Sequence, residues 1–205
     1  MACFRDKYRA ESRRLQGWDY AGQGTYFVTI CTKEKTPYFG AIENGRVLLN
    51  EYGSIAADEW KKTGALRDNI KLDEWVVMPD HFHSIIHLEN LGPSYMPATF
   101  NPDYYFGIAT PQRGVATEPE ADPEFTETPE SHDNPIWQPN SLGSIICLFK
   151  SVVTKHIRER GLSHFAWQPR YYDRIIRDRD ALNAMRDYIR FNPQNFRKRT
   201  LNDYL

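Results

Sequence analysis

Crosslinking chemistry is nearly absent from this sequence. Cysteine occurs three times, as Cys3, Cys31 and Cys147, scattered and without metal-ligand spacing. That excludes a disulfide framework and a cysteine metal knot, and it points to a reducing compartment. Long apolar runs are also missing. A membrane helix needs about 20 consecutive apolar residues, and no stretch approaches that. The first residues lack the apolar core of a secretory signal, so the expectation is a cytoplasmic chain with no membrane partner. Internal repeats and single-residue tracts are absent, which excludes a solenoid or fibrous architecture. Net charge is almost absent too, at -1.

That balance conceals an asymmetry. Residues 91–139 hold eight acidic residues and one basic residue, Arg113, together with nine of the 13 prolines. Residues 140–205 hold 13 basic and six acidic residues. A basic surface on a folded element suits phosphate backbones, although a merely solvated face is an equal alternative at this point. With 205 residues, one domain with a sizeable core is the default. The expectation is a single domain over 1–205, interrupted at 91–139 by a Pro-rich acidic insertion without apolar periodicity.

Local patterns give the order of elements. Residues 1–23 are polar and basic and read as a loose arm. Gly24–Thr32 is β-branched and aromatic, hence a strand. Ala41–Leu49 reads as a hairpin turning at Asn44-Gly45, a pair that tolerates a type I′ turn. Asn50 caps a helix to about Thr63, with Gly64 after it. Ile70–Met78 and His81–Leu88 read as strands around a Pro79-Asp80 break. After the insertion, Asn140-Ser141 caps a helix whose Leu142, Ile145, Ile146, Phe149, Val152, Val153 and Ile157 recur at helical spacing, with Gly161 as its end. Tyr171–Arg177 is a strand. Asp180 caps Ala181–Phe191, which Asn192-Pro193 terminates, because proline disfavours helical geometry in the residue before it. Without the insertion this is an α+β fold in the βαββαβ ferredoxin-like order, an antiparallel sheet with one appended C-terminal helix. In that order the first and third strands pair at the centre, and the third is the histidine strand.

Chemistry concentrates in two places. His81 and His83 alternate on one strand, so they share a face about 6.6 Å apart and can converge on one ion. Tyr188 and Asn192 are four apart on the appended helix, so they share a face as well. Tyrosine can act as a nucleophile through a covalent intermediate. Its ordinary pKa of about 10 means that it needs a base, or a cation that polarises the electrophile. Asparagine offers a neutral oxygen suited to hard cations such as Mg2+ or Mn2+. Lys150, Lys155 and Arg158 lie off the apolar stripe of their helix. Arg170, Arg174 and Arg177 flank or occupy the last strand, and all six are candidates for phosphate contact. His87 is about 13 Å from His83 along the strand, too far to share an ion, and reads as structural.

These motifs together resemble the His-hydrophobic-His single-strand endonucleases, and within them the REP-associated tyrosine transposases of bacteria. The resemblance rests on Gly24–Thr32, Trp75–Leu88, Trp167–Asp173 and Asp187–Pro193. The combination of Val77-Met78-Pro79-Asp80-His81-Phe82-His83 with Asp187-Tyr188-Ile189 and Asn192-Pro193 is specific, whereas each piece alone is not. The resemblance implies that His81, His83 and Asn192 hold a divalent metal, Mg2+ or Mn2+, and that Tyr188 becomes linked to a DNA 5′-phosphate. It implies hairpin-forming single-stranded DNA as the partner and a monomer or homodimer as the working form. A hairpin-binding relative that no longer cuts is the alternative. The acidic insertion departs from compact members of the family.

Overall fold

A computed structural model describes residues 15, 17–89 and 140–202. The expected insertion at 91–139 and the first 14 residues of the expected arm lie outside the described residues. The elements are β1 (Gly24–Cys31), β2 (Gly40–Glu43), β3 (Arg46–Leu49), α1 (Glu51–Ala65), β4 (Ile70–Val77), β5 (His81–Leu88), α2 (Leu142–Glu159), β6 (Tyr172–Ile176) and α3 (Arg179–Asn202). Four strands form one sheet in the order β4-β5-β1-β6, and β2 pairs with β3 in a separate hairpin. Every pairing in the larger sheet is antiparallel. The histidine strand therefore sits inside the sheet, between β4 and β1. Asn44 and Gly45 both take positive φ, at 49° and 74°, as the predicted hairpin turn requires.

Strand alternation divides the sheet into two unlike faces. Tyr26, Val28 and Ile30 of β1 and Phe82, Ile86 and Leu88 of β5 point to one side. There they pack with Trp60 of α1 and Ile145, Phe149 and Val153 of α2 into the main core. Burying each such side chain contributes roughly 1.5–3 kcal/mol. Phe27, Ile85 and Ile176 point to the other side, where they meet Ile189 of α3 in a much smaller cluster.

Four local expectations need correction. The helix predicted to stop before Gly64 runs through it, because a Cβ there would lie 2.8 Å from Leu72 Cγ. That glycine permits close helix–strand packing instead of ending the helix. The last part of the supposed arm is pinned: Trp18 Nε1 donates to the Tyr26 hydroxyl at 3.0 Å, and Leu142 N donates to Tyr20 O. Asp178, not Asp180, caps α3, accepting from Ala181 N at 2.7 Å. Lastly, α3 does not end at Asn192-Pro193, since Pro193 lies inside the helix. Ile189 and Asn192 are buried on its inward face, and this packing outweighs the one backbone hydrogen bond that proline removes.

Candidate active site

The α3 face of the sheet carries His81, His83, Ile85 and His87 on β5, and Thr25, Phe27 and Thr29 on β1. The antiparallel register sets Thr29 opposite His83 and Thr25 opposite His87. Each threonine then reaches its histidine: Thr29 Oγ1 lies 2.8 Å from His83 Nδ1, and Thr25 Oγ1 lies 2.8 Å from His87 Nδ1. His81 is held by its neighbour, with Asp80 Oδ1 2.5 Å from His81 Nδ1. The backbone of Asp80 is itself fixed, because Thr32 N donates to its carbonyl at 2.9 Å. The predicted pair thus comes together, with ring centroids 4.6 Å apart.

The residues of this set suit a divalent cation. A carboxylate on Nδ1 of His81 makes that nitrogen the N–H donor and leaves the lone pair on Nε2. The threonine on Nδ1 of His83 is compatible with the same tautomer. Among the described residues no group of three or more His, Cys, Asp or Glu side chains is gathered for metal binding. The amide oxygen of Asn192 is of a kind that can join two imidazoles on a hard cation.

α3 brings the other predicted residues to this face. The Tyr188 ring lies 5.3 Å from the His83 ring, at 71°, and 5.7 Å from Phe27, at 80°. Phe196, two turns on, sits 6.2 Å from His81. Asn192 lies between Tyr188 and Phe196 on the same helical stripe and is only 3% exposed. Two turns of α3 thus run from one histidine to the other. Continuation of the helix past Pro193 is what carries Phe196 to His81.

The six basic candidates do not act as a group. Arg174 stands opposite Phe27 in the sheet register, so it shares the histidine face. Tyr172 stands opposite Thr29, with 49% of its surface exposed. Arg170 and Arg177 are exposed near the ends of β6. Lys150, Lys155 and Arg158 belong to α2, which covers the opposite face. They line a groove of about 590 Å³ with Trp167, Pro169 and Tyr171. Two of these cations have structural duties. Lys150 Nζ donates to Gln168 O at 2.7 Å, and burial lowers its pKa. Arg158 donates twice to Phe165 O, at 3.2 and 3.0 Å. Lys155 is exposed in the same groove.

Several site residues were not evident from sequence. Asp80 could have been suspected from its adjacency to His81. Thr29 could not, because only strand register shows its partner. Asp73 is a third case. It accepts from Arg186 at 3.0 and 2.6 Å and lies 2.9 Å from His87 Nε2. Burial works to raise its pKa, but the Arg186 and His87 hydrogen bonds prevail and hold the carboxyl well below the usual carboxylate range. His87 is thereby structural, as its spacing suggested.

No family model matches the chain. An uncharacterized protein of Haemophilus influenzae is 29% identical over 188 residues, spanning 91% of this chain and 89% of that protein. A solved REP-associated tyrosine transposase, bound to a REP hairpin, aligns with a TM-score of 0.51 at 21% identity, over 91% of this chain and 74% of that one. No helix among the described residues is long and apolar enough to cross a membrane. A four-stranded antiparallel sheet, backed by two helices and crossed by a C-terminal helix, is therefore a fold that this chain shares with a REP-associated tyrosine transposase.

Proposed function

We propose that the protein is a metal-dependent single-strand DNA endonuclease and transposase that cuts hairpin-forming DNA through a covalent phosphotyrosine. The ferredoxin-like scaffold of the His-hydrophobic-His enzymes is part of this reading. The observation that carries it is the approach of Tyr188 to His83, at a ring separation of 5.3 Å and from an element more than 100 residues away, beside a His81–His83 pair whose own rings are 4.6 Å apart. The hairpin held by the structurally similar transposase supports the substrate class.

In this reading His81, His83 and Asn192 hold Mg2+ or Mn2+. When bound, such a cation polarises the scissile phosphate and offsets its negative charge. Asp80 and Thr29 keep the two imidazoles in the ligating tautomer. The Tyr188 oxygen attacks phosphorus and its proton leaves to solvent. The phosphorus–O3′ bond breaks, and the departing oxygen takes a proton from solvent as a 3′-hydroxyl. The product is an ester of Tyr188 with the 5′-phosphate. Because one phosphodiester replaces another, a 3′-hydroxyl can attack the phosphotyrosine and rejoin strands without external energy. Arg174 and Tyr172, on the open side of the same face, suit a phosphate and a base beside the site.

The test is adduct formation on hairpin-bearing single strands across a range of Mg2+ or Mn2+ concentration. Tyr188→Phe is expected to abolish the adduct and strand cleavage while hairpin affinity stays within about twofold. His81→Ala or His83→Ala is expected to abolish cleavage at low metal. Asn192→Ala is expected to be milder and partly rescued by more metal, since water replaces a neutral oxygen ligand. An adduct that persists in Tyr188→Phe overturns the assignment. Tight hairpin binding without any adduct in the unaltered protein favours a silent hairpin-binding protein.

A further inference from the structure

β4 and β5 lose register between Leu72 and Trp75. Leu72 pairs with Ile86 and Trp75 with Ser84, so two β4 residues, Asp73 and Glu74, stand against Ile85 alone. This is a β-bulge, a device that re-aims side chains. In an unbroken strand Asp73 and Glu74 would point to opposite faces, one of them into the main core. With the bulge both reach α3. Asp73 takes Arg186 on two oxygens, with Nε at 3.0 Å from Oδ1 and Nη2 at 2.6 Å from Oδ2. Glu74 Oε1 takes Arg190, from Nε at 3.1 Å and Nη2 at 2.5 Å. Asp73 is in turn steadied by His87 and by the backbone N–H of Glu74, at 2.9 and 2.8 Å. Arg190 also lies 3.7 Å from Asp187 on its own helix.

The sequence positions of these arginines matter. Residue 188 is two from residue 186 and two from residue 190. At 3.6 residues per turn it stands about 160° round the helix axis from each of them. Ile189, the buried contact, lies between the two flanks. The arginines therefore grip the β4 side of α3, while Tyr188 emerges on the β1 side, against Phe27 and His83. The apolar seam beneath the helix is small, with Phe27, Ile85, Ile176 and Ile189 buried and Val76, Ala181, Leu182, Met185 and Tyr188 half-buried around them. Such a seam resists lifting of the helix better than rolling about its axis. Two forked, charge-assisted contacts on one flank oppose the roll, because planar guanidinium–carboxylate pairs fix orientation as well as distance.

We infer that Asp73 and Glu74, presented together by the β4 bulge, are positioning residues that set the roll of α3 and so hold Tyr188 against His83. This rests on Tyr188 being the nucleophile. Neither carboxylate touches DNA in this role, and each acts through its arginine.

The experiment reads the tyrosine directly. 3-Fluorotyrosine is installed at position 188 of the full chain, and its 19F resonance is followed without DNA. Asp73→Asn with Glu74→Gln is expected to shift and broaden that resonance, to slow adduct formation at saturating hairpin DNA at least tenfold, and to leave KM within twofold. Glu74→Arg alone should impair both readouts. Glu74→Arg with Arg190→Glu should restore them, a rescue that a folding defect would not show. An unchanged resonance in the double variant overturns the inference, as does a charge swap that restores neither signal. If the unaltered protein forms no adduct, the enzyme reading fails by itself, while the resonance still decides whether the latch holds the helix.

Discussion

The two faces of one sheet are built on different principles. Toward α1 and α2 the strands present Tyr26, Val28, Ile30, Phe82 and Ile86, all fully buried. Trp60 there meets both Phe82 and Phe149 edge-on at 5.0 Å. Toward α3 the same strands present three histidines, two threonines and a small apolar cluster. The first face holds the fold together. The second trades burial for polar groups with fixed partners, and its helix adds two arginine–carboxylate contacts to a small apolar cluster. Alternation along β1 and β5 separates the two jobs, so each can change without the other.

That contrast can be broken by mutation. Trp60→Ala opens a cavity in the main core and is expected to destabilise the whole domain by about 3–5 kcal/mol, read as a single cooperative loss in denaturant. Ile189→Ala removes the central apolar contact of α3. It is expected to speed amide exchange in α3 far more than in β1, β5 or α2, because sparsely packed elements open locally. If the two variants lower the stability of all elements alike, the faces are one cooperative unit and the contrast fails.

Acid gives a smaller and more selective effect. The Asp73 carboxyl is held below its ordinary value, so its contribution is complete above the unfolded pKa of about 3.9 and is lost as pH falls below that toward the folded value. Asp73→Asn should lower Tm at neutral pH, and the gap to the unaltered protein should narrow as pH falls from about 4 downward. A gap that stays constant over that range would show that the carboxylate charge is not what holds the helix.

The smallest effect separates cations within the α2 groove. Lys155 is exposed, whereas Lys150 is tied to Gln168 O. If DNA reaches this groove, Lys155→Ala should reduce the slope of log affinity against log salt by about 0.7. Lys150→Ala should instead lower Tm, since it releases the segment leading into β6. Equal slopes for Lys155→Ala and the unaltered protein would confine DNA to the histidine face.

Much of this protein is determined by short-range pattern. Strand alternation put His81 and His83 on one face, helical spacing put Tyr188 and Asn192 on another, and Asn44-Gly45, Asn50 and Ser141 marked a turn and two caps that the structure contains. These succeed because a period or a capping hydrogen bond depends on only a few neighbouring residues. Pattern failed where long-range packing prevailed over local preference. Pro193 suggested an end to α3, yet buried Ile189 and Asn192 keep the helix going. Gly64 looked like a stop, and is instead a gap for Leu72. Only the tertiary structure could show that Thr29 braces His83, that a bulge turns both Asp73 and Glu74 toward α3, and that Lys150 and Arg174 lie on opposite sides of the sheet. Those facts follow from register and from which helix covers which face. Both are set by contacts between residues far apart in the chain, which no local pattern contains.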